Sequence, residues 1–439
     1  MDFLLFLLLN FTLFVRPQDF LEGNENLSLY NYALLAALAA GAQKVANRCF
    51  TDRMLREPIV VCVLGLVPAI AMSHIAHFDF YSARIRAWDF CKVLVYFFLL
   101  TSVVNSTVRI RQFLYAVALF TAITALIAIL DFHEVIQVPA LRAAQEALID
   151  PMTGERYLVP RLVATGLFND PNDLAMIAVF CMVISVMALT DPQLSFNRIV
   201  WLIPLGILFW TLILTKSRGG LLAFLAAAGV LSYFRLGLWK SMIVGSLLLP
   251  VVVLAAAQRA TDIGDAMKGE GTANERIELW SCGLDLLKTQ PVFGIGAGFY
   301  SDQCGLVAHN SFVHTFVELG FVGGPLFLGA YWCSLYSLWR LARGPMGVLL
   351  AATPLPFRRM HPFVLAAVLG FAVSQFSLSR PYVIPTVMVF GTASAYCLEA
   401  VRQGLPAPLV FNFRRYGEIL VVSVAFLIVI KILIRIAHH

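Results

Sequence analysis

The sequence predicts an all-α, polytopic membrane protein with twelve or thirteen transmembrane helices, and three observations carry that expectation. Of the 439 residues, 60% are hydrophobic and only 13% are charged, whereas soluble domains hold about 45–50% apolar and about 25% charged residues. The mean hydropathy is +0.81. Windows of roughly 17 residues or more with at most one charge recur along the whole chain, and that length crosses about 30 Å of hydrocarbon as a helix.

The candidate spans, in order, are 2–15, 28–46, 58–76, 88–106, 111–131, 173–190, 198–215, 219–235, 240–257, 310–340, 361–378, 382–401 and 417–436. Met1 to Val15 is apolar but lacks a basic n-region and a small-residue cleavage site, so it reads as a first span and not a removed signal. It is short enough to be interfacial, which leaves the count at twelve or thirteen. The rest reads as one transmembrane helical domain, residues 1–439, with a long loop at 258–308. Within that loop Ile277, Trp280, Leu284 and Leu287 recur at helical spacing, with Glu275, Glu278 and Asp285 elsewhere around the turn. An amphipathic helix at about 274–288 is expected there. Pro291 ends it, and Gly294, Gly296 and Gly298 form a turn back to the membrane.

Lys and Arg orient the spans. Lys44, Arg48, Arg53, Arg56, Arg109, Arg111, Arg198, Arg235, Lys240, Arg340, Arg343, Arg358, Arg359, Arg402, Arg414 and Arg415 all fall in connections on one face. That face is cytoplasmic by the positive-inside rule. The other face receives the segments 132–172 and 258–308 and the tight connection at 216–218.

Cations on that second face need a local reason, because the rule predicts few there. Arg161 precedes Gly166-Leu167-Phe168-Asn169-Asp170-Pro171-Asn172, Lys216-Ser217-Arg218-Gly219-Gly220 closes the seventh span, and Arg276 opens the loop helix. A guanidinium forks onto phosphate oxygens, Lys acts as a point charge, and a helix N-terminus adds backbone donors. Such a set suits a lipid-linked phosphate or diphosphate. The competing account is that each cation only snorkels from a helix end. For Arg218 the following Gly219-Gly220 pair, which permits close backbone approach, favours binding.

His309 immediately precedes Asn310-Ser311, which can cap the next helix. An imidazole there is a candidate general base. The competing account of a lone His is a satisfied polar contact. His314 falls about 140° further round the helix, and it is assigned no role, like His74, His77, His133 and His361. Asp89 and Lys92 read as a structural i, i+3 ion pair. Cys282 and Cys304 share the loop and can be bridged in an oxidising compartment. No Walker A loop, zinc motif, clustered carboxylates or basic nucleic-acid footprint is evident, so no cofactor, no metal and no nucleic acid is expected.

His309-Asn310, nine residues, Gly320, two residues, Gly323 is similar to the signature of bacterial O-antigen ligases. Lys216-Ser217-Arg218-Gly219-Gly220 and Gly166 to Asn172 resemble motifs of the wider superfamily, which includes O-antigen polymerases. The resemblance implies a membrane-embedded, C-type, inverting, metal-independent glycosyltransferase of the bacterial inner membrane with its site facing the periplasm. The donor it implies is O-antigen on undecaprenyl diphosphate, and the acceptor is lipid A–core. On this basis His309 is the expected base, with Arg161, Arg218, Arg276 and Lys216 binding the diphosphate and Asn310, Gly219, Gly220 and Asn172 in support. The alternatives are a polymerase that extends the lipid-linked glycan, or a transporter of that lipid without chemistry.

Overall fold

The computed structural model describes residues 1–20, 28–50, 54–141, 143–149, 156–243, 245–246 and 272–437. In chain order the elements are α1 (Asp2–Phe14), α2 (Leu29–Cys49), α3 (Pro58–Ile75), α4 (Phe80–Val103), α5 (Thr107–Phe132), β1 (Ala144–Ile149), β2 (Arg156–Arg161), α6 (Pro171–Leu189), α7 (Leu202–Leu214), α8 (Arg218–Leu236), α9 (Thr272–Thr289), α10 (Tyr300–Cys304), α11 (Ser311–Leu341), α12 (Gly344–Ala352), α13 (Leu355–Ser374), α14 (Ile384–Arg402) and α15 (Phe413–Ala437). Nine helices among the described residues are long and apolar enough to cross a membrane. The chain is a multi-pass helical membrane protein, but the twelve or thirteen spans expected from hydropathy are not all of this kind. The helix α1 has only 13 residues. The helix α4 begins at Phe80, two turns before the expected start, and its first half carries Arg84, Arg86, Asp89 and Lys92. Most of the expected span 240–257 and the loop residues 258–271 lie outside the described residues.

The described chain forms two compact units. The first comprises Met1–Val45, Ser102–Ala260 and Val348–Ser374. Its centre is α6, almost wholly buried and apolar on every side beyond Asn172 and Asp173 in its first turn, as a helix surrounded by other helices requires. Around it pack α5, α7, α8 and α13. Phe180 of α6 meets Phe371 of α13 edge-on at 6.3 Å. Gly220 lets α8 approach closely, since a Cβ there would lie 2.7 Å from Ala175 Cβ of α6. The short α1 is held at its start by Asp2, which pairs with Lys44 at 2.6 Å and Arg109 at 3.3 Å.

One feature of this unit departs from the all-α expectation. Strands β1 and β2 pair antiparallel, from Ala144 with Arg161 to Ile149 with Arg156, as an isolated two-stranded ribbon. Tyr157-Leu158-Val159 are good strand formers, and Pro160 is tolerated because a two-stranded ribbon has only edges.

The second unit comprises Ala46–Thr101, Thr261–Gly347 and Gln375–His439. Its central helix is α11, packed by α3, α9, α14 and α15. Aromatic rings fill this core. Phe312 lies within 4.9–5.7 Å of Phe327, Tyr331, Phe376 and Phe426 by ring centroid. The apolar face of α9, Ile277, Trp280, Leu284 and Leu287, packs against Val313, Phe316 and Val317 of α11 and Ile430 and Ile434 of α15.

The helix α11 is broken at Gly320, where φ is 58° and ψ is −156°. In an unbroken helix Phe321 N–H would bond Val317 O and Val322 N–H would bond Glu318 O. Instead the segment 291–296 serves all four groups. Ile295 and Gly296 donate to Val317 O and Glu318 O at 3.0 and 3.1 Å, while Phe321 and Val322 donate to Pro291 O and Val292 O at 2.8 and 3.1 Å. Irregular backbone inside a membrane protein persists only when protein groups satisfy it in this way.

Candidate functional site

Two helix starts carry the expected site residues, one in each unit, and they are built alike. In the first unit Ser217 caps α8, its Oγ accepting from Gly220 N–H at 3.1 Å. Lys216, the residue before the cap, has φ of 51°. In the second unit Asn310 caps α11, its Oδ1 accepting from Phe312 and Val313 N–H at 3.1 and 3.2 Å. His309, the residue before that cap, has φ of 48°. Left-handed backbone is rare for residues with a Cβ and costs of order 1–3 kcal/mol. Both strained positions fall on cationic or titratable side chains singled out from the sequence.

Around Ser217 the first unit assembles a hydrogen-bonded set. Ser217 Oγ donates to Asn172 Oδ1 at 2.7 Å, and Arg161 NH2 donates to the same oxygen at 3.4 Å. Arg161 Nε donates to Thr215 O at 2.9 Å. Asn172 is held at the start of α6, where Asp170 caps through the Asn172 N–H at 2.7 Å. Arg161, Asn172 and the 215–217 turn are therefore one structure, and part of the Arg161 fork is occupied in bracing it. Gly219 and Gly220 form the first turn of α8, and Arg218 beside them is exposed.

Arg16 joins this group, and the sequence reading overlooked it. Its side chain lies against Gly166, in the space that a Cβ at 166 would fill, and Gly166 has φ of 65°. Arg16 pairs with Asp19 at 3.0 Å. The glycine thus serves both the turn and the passage of a cationic side chain beside it.

In the second unit α9 is fastened to the segment that carries His309. Trp280 Nε1 donates to Ala308 O at 2.7 Å, Tyr300 OH donates to Leu279 O at 2.7 Å, and a disulfide joins Cys282 to Cys304. Arg276 stands one turn before Trp280 on the same helical face. The half-buried His309 is followed by the fully buried Asn310 and Ser311. Ser311 Oγ donates to Leu378 O at 2.7 Å and accepts from Arg380 N–H at 2.9 Å.

Arg380 is therefore a further cation beside the start of α11, and Arg86 is another in this unit, lying against Gly298. Both sit in or next to connections that the span order assigns to the same face as 216–218. The criterion that selected Arg218, a cation on the face where few are expected, also selects Arg380.

Glu318 is a further residue that sequence reasoning missed. It lies within the apolar run of α11 and is fully buried. Its Oε1 accepts from Gly298 N–H at 2.8 Å and Tyr300 N–H at 3.4 Å, and lies 2.9 Å from His314 Nε2. The His314 ring stacks on Tyr300 at 5.0 Å. Burial, with the Glu318 charge nearby, pushes the Tyr300 phenol above its ordinary range. The signal was present in the sequence, since an ionisable residue inside a span marks a site by default.

Residues 203–328 match the O-antigen ligase family model. Over that segment the chain is similar to the O-antigen ligase/polymerase superfamily. No curated protein is significantly similar to it. The matched segment includes Lys216 to Gly220, Arg276, and His309 through Gly323. Two glycines of the ligase-like spacing have physical reasons here. A Cβ at Gly320 would meet the Val292 carbonyl group and lie 2.6 Å from Gly294 N, and a Cβ at Gly323 would press on Leu319 and Ala69. Gly320→Ala is expected to weaken the fold by at least the 1–3 kcal/mol of a strained backbone. The check is a lower thermal midpoint in detergent, with Gly206→Ala as a control because a Cβ there meets nothing within 4 Å.

Proposed function

We propose that this protein transfers O-antigen polysaccharide from undecaprenyl diphosphate to lipid A–core oligosaccharide at the periplasmic face of the bacterial inner membrane, with inversion and without a metal. The observation that carries the proposal is the match at 203–328, which takes in both strained helix starts. An acceptor sugar hydroxyl attacks the anomeric carbon, the C–O bond to the diphosphate breaks, and lipid diphosphate leaves. Its charge needs stabilising more than protonation, which suits Arg218, Lys216, Arg161 and Arg276 at the membrane surface, where electrostatic terms exceed those in water. His309 takes the hydroxyl proton. Asn310, Gly219, Gly220 and Asn172 hold these groups in place. Cleavage of the activated diphosphate linkage drives transfer, so no nucleotide is required.

The Cys282–Cys304 bridge supports a periplasmic setting for α9 and α10, because disulfides persist in oxidising compartments. The helix α9, fastened by Trp280 to Ala308 next to His309, is the platform on which the acceptor or donor rests.

The deciding experiment incubates purified protein with polyprenyl-diphosphate-linked glycan and a lipid A–core acceptor and follows both lipids by mass spectrometry. A glycan-bearing lipid A–core is expected, and EDTA should leave its yield unchanged. A lengthened polyprenyl-linked glycan in its place identifies a polymerase, and transport of the lipid-linked glycan without bond formation identifies a transporter. In the same assay Arg218→Lys should lower turnover by about 10²-fold, because a point charge does not reproduce a bidentate fork. Full activity of the Lys variant removes the fork from the mechanism.

A further inference from the structure

The first unit holds a cavity of about 360 Å³ that shares no lining residue with the group around Ser217. It is lined by Arg235 near the C-terminal end of α8 and by the first turns of α13. Arg218 opens the same helix 17 residues earlier, so the cavity lies about 26 Å along α8 from it, at the other end of the helix. Its size falls within the ordinary range for small-molecule sites.

The lining carries an excess of positive charge. Arg111, Arg235 and Arg359 face the cavity with a single carboxylate, Asp191. Asp191 is already committed, since Oδ2 accepts from Arg111 at 3.3 Å and from Tyr115 OH at 2.9 Å, and Oδ1 accepts from Gln193 N–H at 3.0 Å. Arg235 is held in place by a hydrogen bond to Thr190 Oγ1 at 3.1 Å and by the Phe363 ring, 5.0 Å from its centroid. No carboxylate pairs with Arg235 or Arg359 among the described residues. The remaining wall is largely apolar, with Phe234, Phe363 and Met360 among it. Two guanidiniums without a counter-charge, set against an apolar wall at a membrane surface, match an amphiphile with a phosphate head.

We propose that this cavity binds the phosphate headgroup of an anionic phospholipid of the leaflet opposite the Arg218 end. Arg235 and Arg359 grip the phosphate, and the aromatic wall takes the glycerol backbone and upper acyl chain. The proposal stands independently of the glycan chemistry.

The test is native mass spectrometry of the detergent-purified full chain titrated with phosphatidylglycerol or phosphatidylcholine. Wild type is expected to retain one phosphatidylglycerol in clear preference to phosphatidylcholine. Arg235→Gln with Arg359→Gln should weaken phosphatidylglycerol binding by about 30-fold, the effect of two surface cations at the energies usual beside anionic lipids. Arg359→Gln alone, at an exposed side chain, should give part of that loss should the double variant not fold. Arg414→Gln, 89% exposed and outside the cavity, should bind as wild type. Equal retention of both lipids, or unchanged binding by the cavity variants, overturns the proposal. Displacement of the lipid by millimolar inorganic phosphate also overturns it, because the apolar wall would then contribute nothing.

Discussion

His309→Ala is expected to cut glycan transfer by about 10²–10⁴-fold, the usual worth of a positioned general base. The imidazole stands on a backbone with φ of 48°, just before the buried cap Asn310. Its position is set by backbone on both sides: Trp280 holds Ala308 O, and Asn310 closes the first turn of α11. Loss of the side chain should leave these bonds in place, so the Ala variant should fold and melt close to wild type. A second substitution separates strain from chemistry. His309→Gly should be as inactive as the Ala variant yet no less stable, although Gly ordinarily costs about 0.5–1 kcal/mol. The reason is that Gly adopts left-handed backbone freely, whereas Ala retains the strain. Turnover near the wild-type rate in either variant would end the role of His309 as base.

Glu318→Ala is expected to produce the largest loss of stability of any single change in the second unit. It removes one partner of a buried pair and strands the Gly298 and Tyr300 N–H groups that converge on Oε1. Breaking a buried pair in this way costs about 3–5 kcal/mol. Glu318→Gln retains an acceptor oxygen at that point and should fall between wild type and the Ala variant. Thermal unfolding in detergent ranks the three proteins. If Glu318→Ala melts with wild type, the carboxylate does not hold the 298–300 turn to α11. Because α10 and the bridged Cys304 follow that turn directly, the Ala variant should also lose transfer activity through the displaced loop.

Much of this architecture was legible in the sequence because apolar periodicity records burial directly. Ile277, Trp280, Leu284 and Leu287 share one face of α9, and those residues meet the core. Lys216, Arg218 and His309 were selected by an electrostatic anomaly and by helix-start chemistry, and two of the three stand on strained backbone. What stayed hidden depends on contacts distant in the chain. Nothing local to Arg16 announces Gly166, 150 positions later, and nothing local to Ser311 announces Arg380. Glu318 was visible as a charge in an apolar run, but its partners Gly298 and Tyr300 belong to a loop whose return path hydropathy does not describe. The β1–β2 ribbon escaped because its strand-forming run is short and includes a proline.

The segment 291–296 acts as a splint across the interrupted helix, with donors at 295 and 296 and acceptors at 291 and 292 matched to fixed positions on either side of Gly320. That matching is a constraint on length and not only on composition. Inserting or deleting one residue between Pro291 and Gly296 would throw the two sets of backbone groups out of phase, whatever side chain was added. Homologous chains are therefore expected to keep the length of this segment and also Gly294, whose φ is 71° and where a Cβ would lie 2.4 Å from the Glu318 carbonyl group.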